Sequence, residues 1–309
     1  MTALPLQALA PAKINLGLFV GPPRADGRHE LVSVMQSISL ADELMLEAAP
    51  ADAVGDEVLC PGVSGAPGEN LAARALAAFR AATGWDAPPL RLKIDKRIPV
   101  AAGLGGGSAD AAAALRLAKA FSGLGDESLL LELAARLGAD VPAQVRPGRW
   151  LATGAGELLE ELPDPVAPIG VLVLALAHEL STAAVYAEAD RLAKLRSRAF
   201  LEERRHALHL ALDLGMSLPH DPELLHNDLE APARSLCPAI GAALKEVREA
   251  GAEPALLSGS GPTVIGLFPR ANGLAAAERA VAGLAGHAPA PLPARTVGAD
   301  WGQPCRDVS

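Results

Sequence analysis

The chain has 309 residues, half of them apolar, enough to bury a substantial core and to fill two globular domains. Its 27 basic and 36 acidic residues leave a net charge of −9, which excludes a broad nucleic-acid or anionic-membrane footprint and requires any anionic ligand to be held locally. Three widely spaced cysteines, Cys60, Cys237 and Cys305, form no CxxC pair, so neither a disulfide framework nor a zinc site is expected. The N-terminus has no basic region ahead of an apolar stretch, and the longest apolar run, residues 169–177, is too short to span a bilayer. A soluble, cytoplasmic protein is expected.

Residues 12–20 alternate, with Ile14, Leu16, Leu18 and Val20 on one face and Lys13, Asn15 and Gly17 on the other, the pattern of a half-buried strand. Its polar face sets a cation and an amide about 7 Å apart, two residues of strand rise. A lone Lys there reads equally well as a solvated edge. In RADGRHEL, residues 24–31, Asp26-Gly27 marks a turn and Arg28 and His29 follow at once, His29 reading as a surface histidine on this pattern alone. Residues 32–46 predict one or two strands, and residues 61–69 a Gly- and Pro-rich loop. Asn70 then caps a helix running through Leu71, Leu76 and Phe79 to Gly84. A further strand at residues 90–95 leads through Lys96 and Pro99 into a glycine loop.

That loop, in IPVAAGLGGGSADAAAALRLAKAF at residues 98–121, is the most informative stretch. Gly103, Gly105, Gly106 and Gly107 let the backbone turn through positive φ and approach a ligand without Cβ clashes. A helix is predicted from about Ser108 to Phe121, and an N–H-rich turn feeding a helix N-terminus is an anion site. Phosphate is the candidate anion. The P-loop pattern GxxxxGK[ST] fails because no Lys follows the glycines, and GxGxxG fails because Ser108 stands at its third glycine.

The helix predicted over residues 129–137 ends at Gly138. Pro142 biases Val141 to extended geometry, so Asp140 falls at a helix-to-coil corner, as structure a cap, as chemistry a fixed carboxylate. Residues 149–162 predict a hairpin through Thr153-Gly154-Ala155-Gly156, and PDPVAP at 163–168 a linker. The expected domains are residues 1–163 and 164–309. Beyond the linker come a fully apolar central strand at 169–177, a helix from Ser181-Thr182 carrying Tyr186, and a helix at 196–214. Asp221 and Asn227-Asp228 offer caps, and an amphipathic helix at 239–250 stops at Gly251. Strands at 255–257 and 263–268 flank a second small-residue loop, Ser258-Gly259-Ser260-Gly261-Pro262, before a helix at 274–284 and a strand at 294–297. This is an α+β pattern resembling a split βαβ sandwich.

Taken together, PAKINL at residues 11–16, IPVAAGLGGGSADAA at 98–112, GADVP at 138–142 and LSGSGPT at 257–263 resemble, in order and spacing, the GHMP small-molecule kinases. DGRHEL, GLGGGS and HNDLE at 226–230 look like those of the GHMP branch that acts on 4-diphosphocytidyl-2-C-methyl-D-erythritol. The resemblance covers nearly the whole chain. It implies ATP-dependent phosphorylation of the 2-hydroxyl of that cytidine-diphosphate-linked methylerythritol, in non-mevalonate isoprenoid precursor biosynthesis. The implied fold is a two-domain GHMP kinase fold, with an N-terminal domain like domain 2 of ribosomal protein S5, a ferredoxin-like C-terminal domain and the site in the cleft between them.

By that resemblance Asp140 is the catalytic base and Lys13 its partner. Pro99, Val100, Ala101, Ala102, Gly103, Leu104, Gly105, Gly106, Gly107, Ser108 and Ala109 form the ATP phosphate loop, with Asn70 and Lys96 as further nucleotide contacts. Asn15 and His29 face the substrate, and Thr182 and Tyr186 reach it from the second domain. Mg²⁺ is expected with ATP, without protein ligands assigned to it. The expected partner is the small-molecule substrate, with no nucleic acid, membrane or obligate protein partner. Two positions depart from the family pattern. Arg28 stands where Tyr is common, and a guanidinium plane can also stack on a base, so Arg28 is the candidate for the cytosine end beside Tyr186. Ala109 stands where Ser is common, which removes one hydroxyl. The competing expectations are another GHMP kinase, such as homoserine kinase, against which DGRHEL counts, and a non-catalytic nucleotide sensor, against which the retention of Lys13 and Asp140 counts.

Overall fold

In the computed structural model, which describes residues 5–63, 67–219 and 221–306, the chain opens on two long strands. These are β1 (Leu6–Pro23) and β2 (His29–Ala48), antiparallel neighbours joined by the Asp26-Gly27 turn. Their register slips between Pro11 and Lys13 and again between Asn15 and Gly17. Irregular pairing of this kind re-aims side chains, and it falls at Lys13 and Asn15. The half-buried strand expected at residues 12–20 is instead buried on both faces, because the helix Gly106–Ser122 of the first half and the helix Arg198–Leu212 of the second both pack against β1. Periodicity along one strand reports the two faces of a sheet but not the layers laid over them.

Next come β3 (Glu57–Leu59), a 3-10 turn at Pro67–Glu69 and α1 (Leu71–Thr83). Of the loop expected at residues 61–69, residues 64–66 lie outside the described residues. Helix α1 has the predicted ends: the Asn70 carboxamide oxygen accepts the N–H of Ala72, and Gly84 closes it in the left-handed region at φ 63°. After β4 (Leu90–Asp95) and the glycine loop, α2 (Gly106–Ser122) has ten consecutive buried residues, Ala109 to Ala118, eight of them alanine or leucine. Small side chains all round let it lie close to both α1 and β1.

Helix α3 (Glu127–Leu137) ends at Gly138, whose backbone is extended rather than left-handed. Val141 is not extended as Pro142 suggested; it opens a short helix, α4 (Val141–Val145). Pro142 sits in the first turn, where its missing N–H has no intrahelical partner to lose, and that tolerance overrides the pre-proline bias. The predicted hairpin is β5 (Arg149–Thr153) and β6 (Leu158–Leu162).

The remaining elements are β7 (Gly170–Leu174), α5 (Thr182–Arg191), α6 (Arg198–Leu212), a 3-10 turn at Pro222–Leu224, α7 (Glu230–Leu236), α8 (Ala239–Glu249), β8 (Ala255–Leu257), β9 (Val264–Phe268), α9 (Gly273–Gly283), β10 (Leu292–Arg295) and β11 (Cys305–Arg306). They build a second sheet in the order β10-β7-β9-β8, with β7 internal and wholly buried as its apolar run predicts. Strand β11 returns to the first sheet beside β1, giving the order β11-β1-β2-β4-β3, with β5 paired to β2 and β6 to β5. This is the expected α+β fold. One apolar cluster joins Ile14 and Leu16 of β1 to Val171 of β7, Leu208 of α6 and Ile265 of β9, so the core runs through both sheets.

Candidate functional site

The glycine loop is pinned at its start by Asp42, a fully buried carboxylate on β2 that accepts the N–H groups of Arg97 at 2.6 Å and Ile98 at 2.8 Å. From there the chain passes through left-handed conformations at Ala101, Gly103 and Gly105. Two glycines are required by space. A Cβ on Gly103 would lie 2.9 Å from the Gly261 carbonyl oxygen and 3.0 Å from that of Ser258, because the second small-residue loop crosses it there; one on Gly105 would lie 3.0 Å from Cγ of Lys13. Helix α2 starts at Gly106 without a side-chain cap, so its first N–H groups and its dipole remain directed at the loop. A cavity of about 410 Å³ is lined by residues 99–108 with Cys60, Asn70, Lys96 and Asp110. Ala109 is buried beneath it and does not line it.

A second cavity, of about 200 Å³, lies on the other side of Gly103 and Gly105, which line both. Its walls carry Lys13, Asn15 and Ser33 from the first sheet, Asp140 from the start of α4, and Thr182, Tyr186 and Ser260 from the second half. The Lys13 ammonium donates to Oδ1 of Asn15 at 2.9 Å and lies 3.5 Å from Oδ2 of Asp140. Nδ2 of Asn15 donates to Oγ of Ser33 at 2.7 Å, and that hydroxyl donates to the Gly17 carbonyl. The lysine is thus not on a solvated edge: it is buried. Asp140 occupies the N-cap position of α4 but makes no capping hydrogen bond, and its side chain is 37% exposed. A carboxylate that leaves its own helix uncapped and turns to an ammonium across a cavity is available to a ligand.

Thr182 shares a hydrogen bond of 2.9 Å with Ser260, joining α5 to the second loop. Asn227, in the segment before α7, donates to the carbonyl oxygens of Leu257 and Gly259 and so fixes that loop from behind. Tyr186 packs its ring against His29, centroids 5.1 Å apart, and burial, with the Asp140 charge adding to it, pushes its phenol up to about 12. His29 is buried and bonds through Nε2 to Asp190 at 2.9 Å, which places it in a built wall rather than on the surface. Arg28 is elsewhere. Its guanidinium donates twice to Oδ2 of Asp26 within the exposed turn, and it lines neither cavity.

Lys96 is clamped between Asp42 and Asp110, the latter at 2.8 Å. Burial alone would lower the lysine, but the two carboxylates outweigh it and hold the ammonium above its ordinary range, while burial holds the Asp110 carboxyl well above the usual carboxylate range. Oδ1 of Asp110 has no hydrogen-bond partner among the described residues. Neither carboxylate stands out by motif, yet each left a trace in the sequence. Asp42 has the parity of Leu40, Leu44 and Leu46 and therefore faces inward, and Asp110 is the one acid in an alanine-rich helix. Ser33 left no comparable signal, whereas Ser260 falls in the second small-residue loop.

Two family models match the chain, the GHMP kinases N terminal domain over residues 70–148 and the GHMP kinases C terminal over residues 205–286. The 4-diphosphocytidyl-2-C-methyl-D-erythritol kinase of Anaeromyxobacter dehalogenans strain 2CP-C is 43% identical over 292 residues, covering 91% of this chain and 88% of that protein. The enzyme of the same name from Streptomyces avermitilis is 39% identical, covering 93% and 97%. Among solved structures, that of a 4-(cytidine 5'-diphospho)-2C-methyl-D-erythritol kinase superposes with a TM-score of 0.75 at 34% identity, over 94% of this chain and 99% of that one. A homoserine kinase from Cytophaga hutchinsonii shares the fold at a TM-score of 0.70 and 16% identity, over 98% and 96%. With a glycine loop feeding the α2 N-terminus on one side of Gly103 and Gly105 and an ammonium–carboxylate pair on the other, the chain belongs to the GHMP kinases and, within them, to the 4-diphosphocytidyl-2-C-methyl-D-erythritol kinases.

Proposed function

We propose that this chain transfers the γ-phosphoryl group of ATP to the 2-hydroxyl of 4-diphosphocytidyl-2-C-methyl-D-erythritol, with Asp140 as the base and Lys13 as its partner. The observation that carries the assignment is the uncapped Asp140 carboxylate, 3.5 Å from a buried ammonium where the two cavities meet. Phosphoryl transfer asks the protein mainly for alignment and charge stabilisation. The N–H groups of residues 103–108 and the α2 dipole hold the phosphates in the larger cavity, which aims the γ-phosphoryl group toward the smaller one. There Asp140 accepts the proton of the attacking hydroxyl. Lys13 keeps Asp140 ionised and offsets negative charge as the oxygen attacks.

The other residues support those two steps. Asn15 orients the Lys13 ammonium. Asn70 spends its oxygen on capping α1 and retains its NH₂ group for the nucleotide. His29 and Tyr186 form the wall for the cytidine end, with Thr182 at its rim and Arg28 outside it on the turn. Mg²⁺ accompanies ATP in this reading and supplies charge neutralisation at the phosphates. Oxygen donors that line the cavities, among them the Ser108 hydroxyl and the Asp140 carboxylate, are of the hard type that would suit it. The domain boundary falls in residues 163–168, between the last strand of the first half and β7. Among the described residues no helix is long and apolar enough to cross a membrane, and a reaction that consumes ATP suits the cytoplasm.

A coupled ADP-release assay with the cytidine-linked alcohol, homoserine and mevalonate tests the assignment. Turnover is expected with the cytidine-linked alcohol alone; turnover with homoserine alone would refute the substrate.

A further inference from the structure

Arg116, on α2, is buried without a carboxylate: among the described residues no ion pair reaches it, and its hydrogen bonds run to backbone carbonyl oxygens alone. Nη2 donates to Leu9 of β1 at 2.8 Å, Nε to Gly302 in the segment before β11 at 3.3 Å, and Nη1 to Gln144, with Val145 at 3.4 Å beyond it. Burial pushes the guanidinium down to about 10, so it stays charged at neutral pH. A charge in the core is costly, and its use here lies in what the acceptors carry. Leu9 is on the same strand as Lys13, and Gln144 and Val145 end the helix that Asp140 precedes. That helix, α4, has five residues and a length of about 7.5 Å, too short to persist without outside support. At its N-terminal end Asp140 gives it no side-chain hydrogen bond. At its C-terminal end, carbonyls left without intrahelical partners meet a fixed positive charge, the favourable sign for that end of the dipole. The helix is held from behind, which leaves the carboxylate in front free to face Lys13. A Cβ on Gly105 would lie 3.0 Å from Cγ of Lys13 and 3.7 Å from Nε2 of Gln144, so strand, glycine loop and α4 meet at one point.

We propose that Arg116 is a positioning residue for phosphoryl transfer: it sets Asp140 against Lys13 by tying the end of α4 to β1, with Gly302 closing the contact from the segment before β11. A reacting group misplaced by about 1 Å loses about a hundredfold in rate. The side chains assigned to bind ATP and the cytidine-linked alcohol are not among the partners of Arg116, so its loss falls on the chemical step and not on binding. This inference rests on the assignment of Asp140 as the base made above.

Steady-state kinetics of Arg116→Lys, Asp140→Asn and the double variant test it. Lysine keeps the charge but lacks the planar fork that reaches three separate carbonyls. In Arg116→Lys kcat is expected to fall about tenfold to a hundredfold, with KM for ATP and for the cytidine-linked alcohol each within about threefold of wild type. In the Asp140→Asn background the same substitution changes the residual kcat by less than about twofold, because the group it positions is gone. Gly302→Ala disturbs the contact from its other side, since a Cβ there would lie 2.5 Å from the Leu9 carbonyl oxygen and 3.3 Å from Nη2 of Arg116. Its kcat is expected to fall about threefold or more, again with both KM values held. Equal losses of kcat in the wild-type and Asp140→Asn backgrounds would overturn the proposal, as would a lowered thermal midpoint with wild-type kcat. If Arg116→Lys does not fold, Gly302→Ala decides, and a wild-type kcat there, or failure of both to fold, makes the contact structural and overturns the proposal. Wild-type kcat in Asp140→Asn would overturn the base assignment, and this inference with it.

Discussion

Two lysines flank the glycine loop, and the way each is held differs. Lys13 makes one hydrogen bond to an amide and faces a partly exposed carboxylate at 3.5 Å, across a cavity. Lys96 is locked between two buried carboxylates, one of which also secures the backbone of the loop. A loosely held pair can exchange partners as charge moves, which a step of chemistry requires; a clamped one keeps its charge in one place, which binding requires. Burial alone does not distinguish them, since both ammoniums lie largely out of solvent. The number and exposure of the opposing carboxylates does.

Substitutions can break this contrast. Asp140→Asn is expected to have the largest effect, a fall in kcat of about 10²–10⁴-fold with ATP binding retained. Because Asp140 makes no capping bond, its thermal midpoint stays at the wild-type value; a loss of stability of the size a helix cap gives would turn it into a structural residue. Asp42→Ala leaves Lys96 with one of its two carboxylates and two backbone donors without an acceptor, and is expected to cost about 3 kcal/mol in denaturant unfolding. A mild effect there would mean that Lys96 is not clamped. Asn70→Ala removes the α1 cap and is expected to cost about 1 kcal/mol, with a rise in KM for ATP that a cap alone does not explain. The smallest effect is expected for Arg28→Ala, whose guanidinium is committed to Asp26 outside the cavities: less than about a twofold change in KM for the cytidine-linked substrate, against a much larger one for Tyr186→Ala. Equal effects at the two positions would return Arg28 to the cytidine wall.

The elements legible in the sequence were those fixed by local chemistry. Asn70 and Gly84 bound α1, the glycines announced an anion loop ahead of α2, and Thr153 to Gly156 turned the hairpin, each within a few residues of its cause. What remained hidden depends on distant chain. Lys13 looked like an edge residue because the helix that buries its strand from the far side begins at Arg198. Asp42 and Lys96 are 54 residues apart in sequence, so their ion pair has no spacing to betray it. Even Val141 followed its tertiary setting: with α4 lodged between α2 and α3, helical geometry prevailed over the preference imposed by the next proline. The motifs located the participants of the candidate site, while the close approach at Gly103 and the buried acids came from how distant segments meet.

The core that passes through both sheets has a consequence for how the protein could be divided. Arg149 of β5, fully buried, donates to the carbonyl oxygens of Met216 and Ser217, and α6 lies on the first sheet although it follows the linker. A protease nick within residues 163–168 should therefore leave two pieces that stay associated, and either piece made alone should expose apolar surface and aggregate. Co-expressed, they should reassemble into an active enzyme. The cleft is then an inlay in one cooperative body rather than the gap between two independent ones.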